Sequence, residues 1–163
     1  MPSPLEGKHI ALGVTGGIAC YKAVDLASKL TQAGALADVI MTGAAAKFVS
    51  PLTFGAITHR PVVSDIFDPQ SELSMDHVAI ANRAHVLIVA PATAHTIARL
   101  ACGMADDALA ATILATTAPV ILAPAMDGRM YENPATQENL GRLEARGVVM
   151  AGPAHGHLAS GNV

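Results

Sequence analysis

Four short stretches concentrate the residues that could do chemistry, and each follows an apolar run that reads as a strand. The first is GVTGGIACYK (13–22). Gly13, Gly16 and Gly17 would let backbone approach a ligand, and the helix that follows would offer free N–H groups to a phosphate. The same glycines also read as a tight strand-to-helix turn. The second is MTGAAAKF (41–48), where Thr42 followed by glycine suits a second phosphate oxygen or, equally, a helix cap. The third, APATAHT (90–96), bunches Thr93, His95 and Thr96 where a planar ring or a polyol chain could lie; Thr93 or His95 could also cap a helix. The fourth, PAMDGRMYENP (124–134), sets Met126, Met130 and Tyr131 around Asp127 and Arg129, which suits a flat apolar ring with one polar contact. It also suits a loop folding its methionines onto the core.

The spacing of the first stretch is not GxGxxG, and strand two ends in VIMT with no acidic residue. A dinucleotide whose ribose is held by Asp or Glu is therefore disfavoured. His77, at the start of a short helix after SELSMD, is a candidate general base beside the alternative of a surface residue. The stretch GPAHGHLASG (152–161) reads as a flap over the site or as a frayed terminus.

These loops need a scaffold, and the chain alternates short apolar runs with Ala-rich helical stretches. Strands are expected at 9–14, 36–42, 61–67, 85–92, 119–125 and 148–153. Helices are expected at 18–34, at 44–57 with an interruption before Pro51, at 77–84, at 95–116 with a break at Gly103, and at 134–147. Strands without polar alternation, separated by helices, indicate an α/β fold: a three-layer, doubly wound parallel sheet of Rossmann-like type, in one domain over 1–163. In such a sheet ligands bind outside the carboxyl ends of the strands, and all four loops stand at that edge.

Composition narrows the class. With 52% hydrophobic and 14% charged residues among 163, part of the surface is expected to be covered by other subunits. A net charge of −3 without a basic stripe argues against nucleic acid. No apolar run is long enough for a bilayer span, and MPSPLEGK lacks the features of a signal peptide. Cys20 and Cys102 read as two buried free thiols of a cytoplasmic protein. No metal is expected.

With those residues in view, the sequence resembles the flavin-containing cysteine decarboxylases. The likeness rests on GVTGGIACYK, MTGAAAKFVSPLTF (41–54), DHVAIANRAHVLIVAPATAHTIARLACGMADD (76–107), PAMDGRMYENPATQENL (124–140) and HLASG (157–161). It covers nearly the whole chain and is nearest to members acting on 4′-phospho-N-pantothenoylcysteine in coenzyme A biosynthesis. The resemblance implies FMN, with its phosphate at Thr15, Gly16, Gly17, Ile18 and Thr42. Ala92, Thr93, His95, Thr96 and Met126 would border the ring. It implies His77, Asp127 and Ser160 as catalytic positions, a homo-oligomer (trimer or dodecamer), and a fused or separate synthetase as partner.

Four positions depart from the family pattern: Asp127 for Asn, Tyr131 for Trp, His95 for Asn and Ser160 for Cys. An amide would hydrogen-bond a substrate carboxylate, whereas an ionised Asp127 repels it unless Arg129 or His95 offsets the charge. Ser160 is a weaker acid than a thiol. Alternatives are an oxidative, peptidyl-cysteine type of decarboxylation and a non-catalytic FMN-binding regulatory oligomer. A flavin prenyltransferase-like activity is disfavoured by the PAMDGRMY loop.

Overall fold

The computed structural model describes residues 1–64 and 76–158. Strand β1 (His9–Val14) is buried beyond its first residue, because helices cover both of its faces. It leads into α1 (Cys20–Gln32), which buries Cys20, Ala23, Ala27 and Leu30, one stripe at helical spacing, and is followed by Gly34 at φ 83°. Strand β2 (Leu36–Met41) is followed by a single 3₁₀ turn (Ala45–Lys47) and by α2 (Pro51–Thr58), whose first turn starts on Pro51 with Ser50 as its cap. Next come α3 (Asp76–Arg83), β3 (Val86–Ala92), α4 (Ala94–Ala101), α5 (Ala108–Ala115), β4 (Val120–Pro124), α6 (Gly128–Glu132), α7 (Pro134–Ala145) and β5 (Val149–Met150).

The five strands are all parallel, in the order β2-β1-β3-β4-β5. Side chains alternate across β1. Leu12 and Val14 face a core shared with Cys20, Ala23, Ala27 and Phe54, while Ala11 faces a second core built from Ile80, Leu87, Ile97, Leu109, Leu122 and Leu140. Helices α1 and α2 thus cover one face, and α3, α4, α5 and α7 the other. The chain leaves β1 for β2 on one side and reaches β3 on the other, so the strand order reverses between β1 and β3, where a doubly wound sheet opens a crevice at its carboxyl edge.

The expected doubly wound parallel sheet is present, with differences in detail. The stretch 61–67 contributes one bridge, Val63 beside Ile40, and residues beyond 64 on this stretch lie outside the described ones. Strand 148–153 shrinks to Val149–Met150, and the Gly152–Pro153 peptide is cis. The helical stretch 95–116 breaks at Gly103 as expected, and the break is wide, leaving two helices parted by residues 102–107. The loop 124–134 contains the five-residue α6, capped by Asp127. Both cysteines are free, but only Cys20 is buried. Cys102 is exposed, because it caps the carboxyl end of α4 where the chain turns outward.

The amino edge is tied by one buried carboxylate. Asp38, early in β2, accepts hydrogen bonds from Arg60 (2.7 and 2.9 Å) and Arg83 (2.9 Å to each oxygen), and His9 stands 3.4 Å away. Burial pushes its pKa up, but the hydrogen bonds and charges of Arg83 and Arg60 outweigh burial and hold it below the usual carboxylate range. Among the described residues no helix is long and apolar enough to cross a membrane.

Candidate functional site: the carboxyl edge of the sheet

Three loops meet at the carboxyl ends of β1, β2 and β3, held together by contacts that only small or hydroxylated residues permit. Gly13 stands beside Ile40 of β2 and Val89 of β3. A Cβ on it would run into the Leu109 side chain, so this glycine serves the packing of α5 on the sheet rather than a ligand. Gly16 lies against the second loop, and a Cβ there would sit 2.9 Å from the Ala44 carbonyl carbon and closer still to its Cβ. Gly17 is different. Its nearest neighbour would be Thr93 Cγ2 at 3.6 Å, an ordinary contact across the cleft between the first and third loops.

Thr15 joins those two loops. Its side chain is fully buried. Oγ1 donates to the Pro91 carbonyl at 2.5 Å and accepts the Thr93 N–H at 3.1 Å. The Thr15 carbonyl accepts from Gly17 N–H (3.1 Å) and from the Cys20 thiol (2.9 Å). Beyond it the amides of Gly16, Ile18 and Ala19 have no partner among the described residues, and α1 starts on Ala19 with no capping side chain. Unpaired N–H groups at a helix start are the donor set that a phosphate dianion needs. The cradle therefore fits a phosphate ester.

In the second loop Thr42 Oγ1 accepts the Ala45 N–H at 3.2 Å, which is the cap role. In the third, Ala92 ends β3 and is fully buried. Thr93 caps α4 by accepting the Thr96 N–H at 3.2 Å, and its hydroxyl meets Thr96 Oγ1 at 3.1 Å. His95 on the first turn of α4 is exposed. The fourth loop brings Met126 and Tyr131, both partly buried, onto the core shared with Leu122 and Leu140. Met130, on α6, is 50% exposed and packs against none of the core.

Asp127 caps α6 by accepting the Arg129 N–H at 2.9 Å, with Arg129 Nε at 3.5 Å from the same oxygen. The Asp127 carboxylate thus has a largely exposed guanidinium beside it. His95 also stands within electrostatic reach of Asp106. The Asp106 carboxyl is held below its usual range first by the Arg99 hydrogen bond, and the charge of His95 adds to this. His77 is the second residue of α3, partly buried, at the end of that helix farthest from the amino-edge cluster around Arg83. Ser160 lies outside the described residues.

Sequence reasoning missed the link from Arg99 to Asp106 and to Asp107 (2.8 Å), which fixes the start of α5 under this edge; the Arg99 Nε is buried without a partner among the described residues. The run ADD directly before an apolar helix was the available signal, since Asp at that place caps. A cavity of about 500 Å³ lies at the opposite, amino edge, among Leu100, Met104, Ile113, Leu114 and Val120. Its guanidinium, Arg146, is engaged on the Leu100 and Ala101 carbonyls at 3.3 and 2.8 Å, and no acid or base faces it.

Three similarities bear on this edge. The chain is 50% identical over 159 residues to the coenzyme A biosynthesis bifunctional protein CoaBC of Vibrio cholerae serotype O1; the match takes in 98% of the chain and 40% of that relative's length. The structure superposes on the FMN-dependent cysteine decarboxylase TvaF of thioviridamide biosynthesis with a TM-score of 0.84 at 31% identity, covering 90% of each chain. It superposes equally well (TM-score 0.84, 27% identity, 96% of this chain and 88% of the other) on a PPC decarboxylase mutant complexed with pantothenoylaminoethenethiol. Residues 1–162 match the Flavoprotein family model, and a parallel sheet with a phosphate-ready carboxyl edge is what such a protein needs; the chain belongs to the Flavoprotein family.

Proposed function

We propose that the chain is an FMN-dependent decarboxylase that converts 4′-phospho-N-pantothenoylcysteine to 4′-phosphopantetheine in coenzyme A biosynthesis. The observation that carries this reading is the cradle of unpaired amides at Gly16, Ile18 and Ala19, set one loop away from the carboxylate-and-guanidinium pair Asp127/Arg129. The 50% identity to a bifunctional coenzyme A biosynthesis protein supports the substrate. Because the chain spans 40% of that relative, the proposed activity is the decarboxylase half, with a synthetase as its fused or separate partner.

A bound FMN supplies a reversible two-electron oxidation of the cysteine side chain, which creates an electron sink β to the carboxylate. The chain's residues do the rest. Gly16, Ile18 and Ala19 amides hold the phosphate, with Gly17 leaving room for it and Thr42 supporting the second loop. Thr93, His95, Thr96 and Met126 border the ring, with the fully buried Ala92 supporting the third loop beneath them. Arg129 beside Asp127 would offset part of its charge, so that this pair orients the substrate carboxylate. His77 handles the proton of the reacting carbon, and Ser160, at the sequence position where the family has a Cys, would return the last proton.

The similarity to TvaF, a cysteine decarboxylase of a different biosynthesis, leaves a second reading in which the chain carries out an oxidative, peptidyl-cysteine type of decarboxylation. Exposed Ile18 (60%), Tyr21 (62%), Phe48 (52%) and Leu52 (78%) beside the first two loops support a homo-oligomer, a trimer or an assembly of trimers. Two free cysteines support a cytoplasmic location. The cofactor assignment is tested by chromatography of the flavin released from the purified protein. FMN, at one per chain, is the expected result. FAD, or no flavin after reconstitution, overturns it.

A further inference from the structure

We propose that Thr15 is a positioning residue that clasps the first loop to the third, and that its hydroxyl does not touch the phosphate; this rests on the reading that the edge holds a flavin phosphate. The argument is one of proton supply. A hydroxyl has one proton to donate and two lone pairs to accept with. Thr15 Oγ1 gives its proton to the Pro91 carbonyl at 2.5 Å and accepts the Thr93 N–H at 3.1 Å. What remains is an acceptor, and a phosphate dianion offers only acceptors. The residue is also fully buried, beneath the loop rather than in the cleft.

The clasp has a function for the same reason. The first loop carries the unpaired amides, and the third carries Thr93 and Thr96 on the first turn of α4. Thr93 is held at its N–H by Thr15, while its own hydroxyl holds the Thr96 N–H. One buried hydroxyl therefore sets the width between the groups that would hold the phosphate end and those that would border the ring. Its carbonyl is pinned in turn by Gly17 and by the Cys20 thiol, which keeps the glycine turn from opening.

Flavin titrations of the apoprotein, followed by fluorescence quenching, test this with FMN and with riboflavin, which lacks the phosphate. Thr15→Val keeps the shape but leaves the Pro91 carbonyl and the Thr93 N–H unpaired. It is expected to weaken both flavins by a similar factor, about tenfold or more. Thr15→Ser restores the hydroxyl and is expected to bind within about threefold of the parent. A loss confined to FMN makes Thr15 a direct phosphate ligand and overturns the proposal, as does unchanged binding in Thr15→Val or a Ser variant as weak as Val. Amide exchange in the parent apoprotein gives a second test that needs neither variant nor flavin. The Thr93 amide should be protected while those of Ile18 and Ala19 exchange freely, and a freely exchanging Thr93 amide overturns the clasp. A protected Thr93 amide in a parent that binds no FMN leaves the clasp standing and removes the flavin reading instead.

Discussion

Adjacent glycines in the first loop should fail in different ways when each is changed to alanine. At Gly16 the new Cβ would stand 2.9 Å from the Ala44 carbonyl carbon and 3.1 Å from its Cα. Ordinary contact begins near 3.4 Å, so backbone of the second loop must retreat by about 0.5 Å or more, against a core that does not yield easily. Overpacking of this kind costs about 1–3 kcal/mol. For a chain of this length that lowers the melting temperature by roughly 2–12 °C. At Gly17 the nearest atom is Thr93 Cγ2 at 3.6 Å, and the fold should feel less than about 0.5 kcal/mol. The methyl group nevertheless projects into the cleft between the first and third loops, where the phosphate is proposed to lie. Thermal melts of the apoproteins and FMN titrations separate the two effects. Gly16→Ala should melt lower and bind FMN poorly, whereas Gly17→Ala should melt with the parent and lose at least about tenfold in FMN affinity. Parental FMN affinity in Gly17→Ala would refute the phosphate cradle.

Three further outcomes are expected. Asp127→Ala should lower turnover by on the order of 10²-fold with flavin affinity nearly unchanged, and also lose the α6 cap, whereas Asp127→Asn keeps the cap and should be tolerated better in steady-state assays. His77→Asn should abolish turnover while the protein still binds flavin by absorbance at its visible band; retained activity would make His77 structural. Asp38→Asn should destabilise by about 3 kcal/mol or more in denaturant melts, because it leaves two guanidinium groups facing a lost charge. The Asp38 pKa is held low in the folded state, so its contribution should be complete above about pH 5 and lost as the pH falls through about 4 and below, a slope that Asp38→Asn should lack.

Much of this architecture was legible in the sequence. HIALGV, HVLIVAPA and PVILAPA read as strands because helices bury both of their faces and no polar alternation is needed. The crowding of Thr and Gly at their ends placed the cleft, since every helix must start where a strand has just stopped. What stayed hidden depends on partners far away in the chain. Nothing local shows that the Thr15 proton goes to Pro91, 76 residues on. Asp38 inside LADVIM was a signal, because a charge within a buried strand requires a partner, but Arg60 and Arg83 are 22 and 45 residues away. The helix α6 has five residues, too few for a periodicity, and its Gly128 and Arg129 read as loop. Cys102 has apolar neighbours in sequence, yet it sits at a helix end that faces solvent.

Mass spectrometry of the product from purified protein, FMN and 4′-phospho-N-pantothenoylcysteine tests the central claim most directly. The proposed reaction predicts 4′-phosphopantetheine, the saturated thiol, formed over many turnovers with no external oxidant consumed. An enethiol two hydrogens lighter would show that the chemistry stops at oxidative decarboxylation, and unchanged substrate in the presence of bound FMN would contradict the decarboxylase reading altogether.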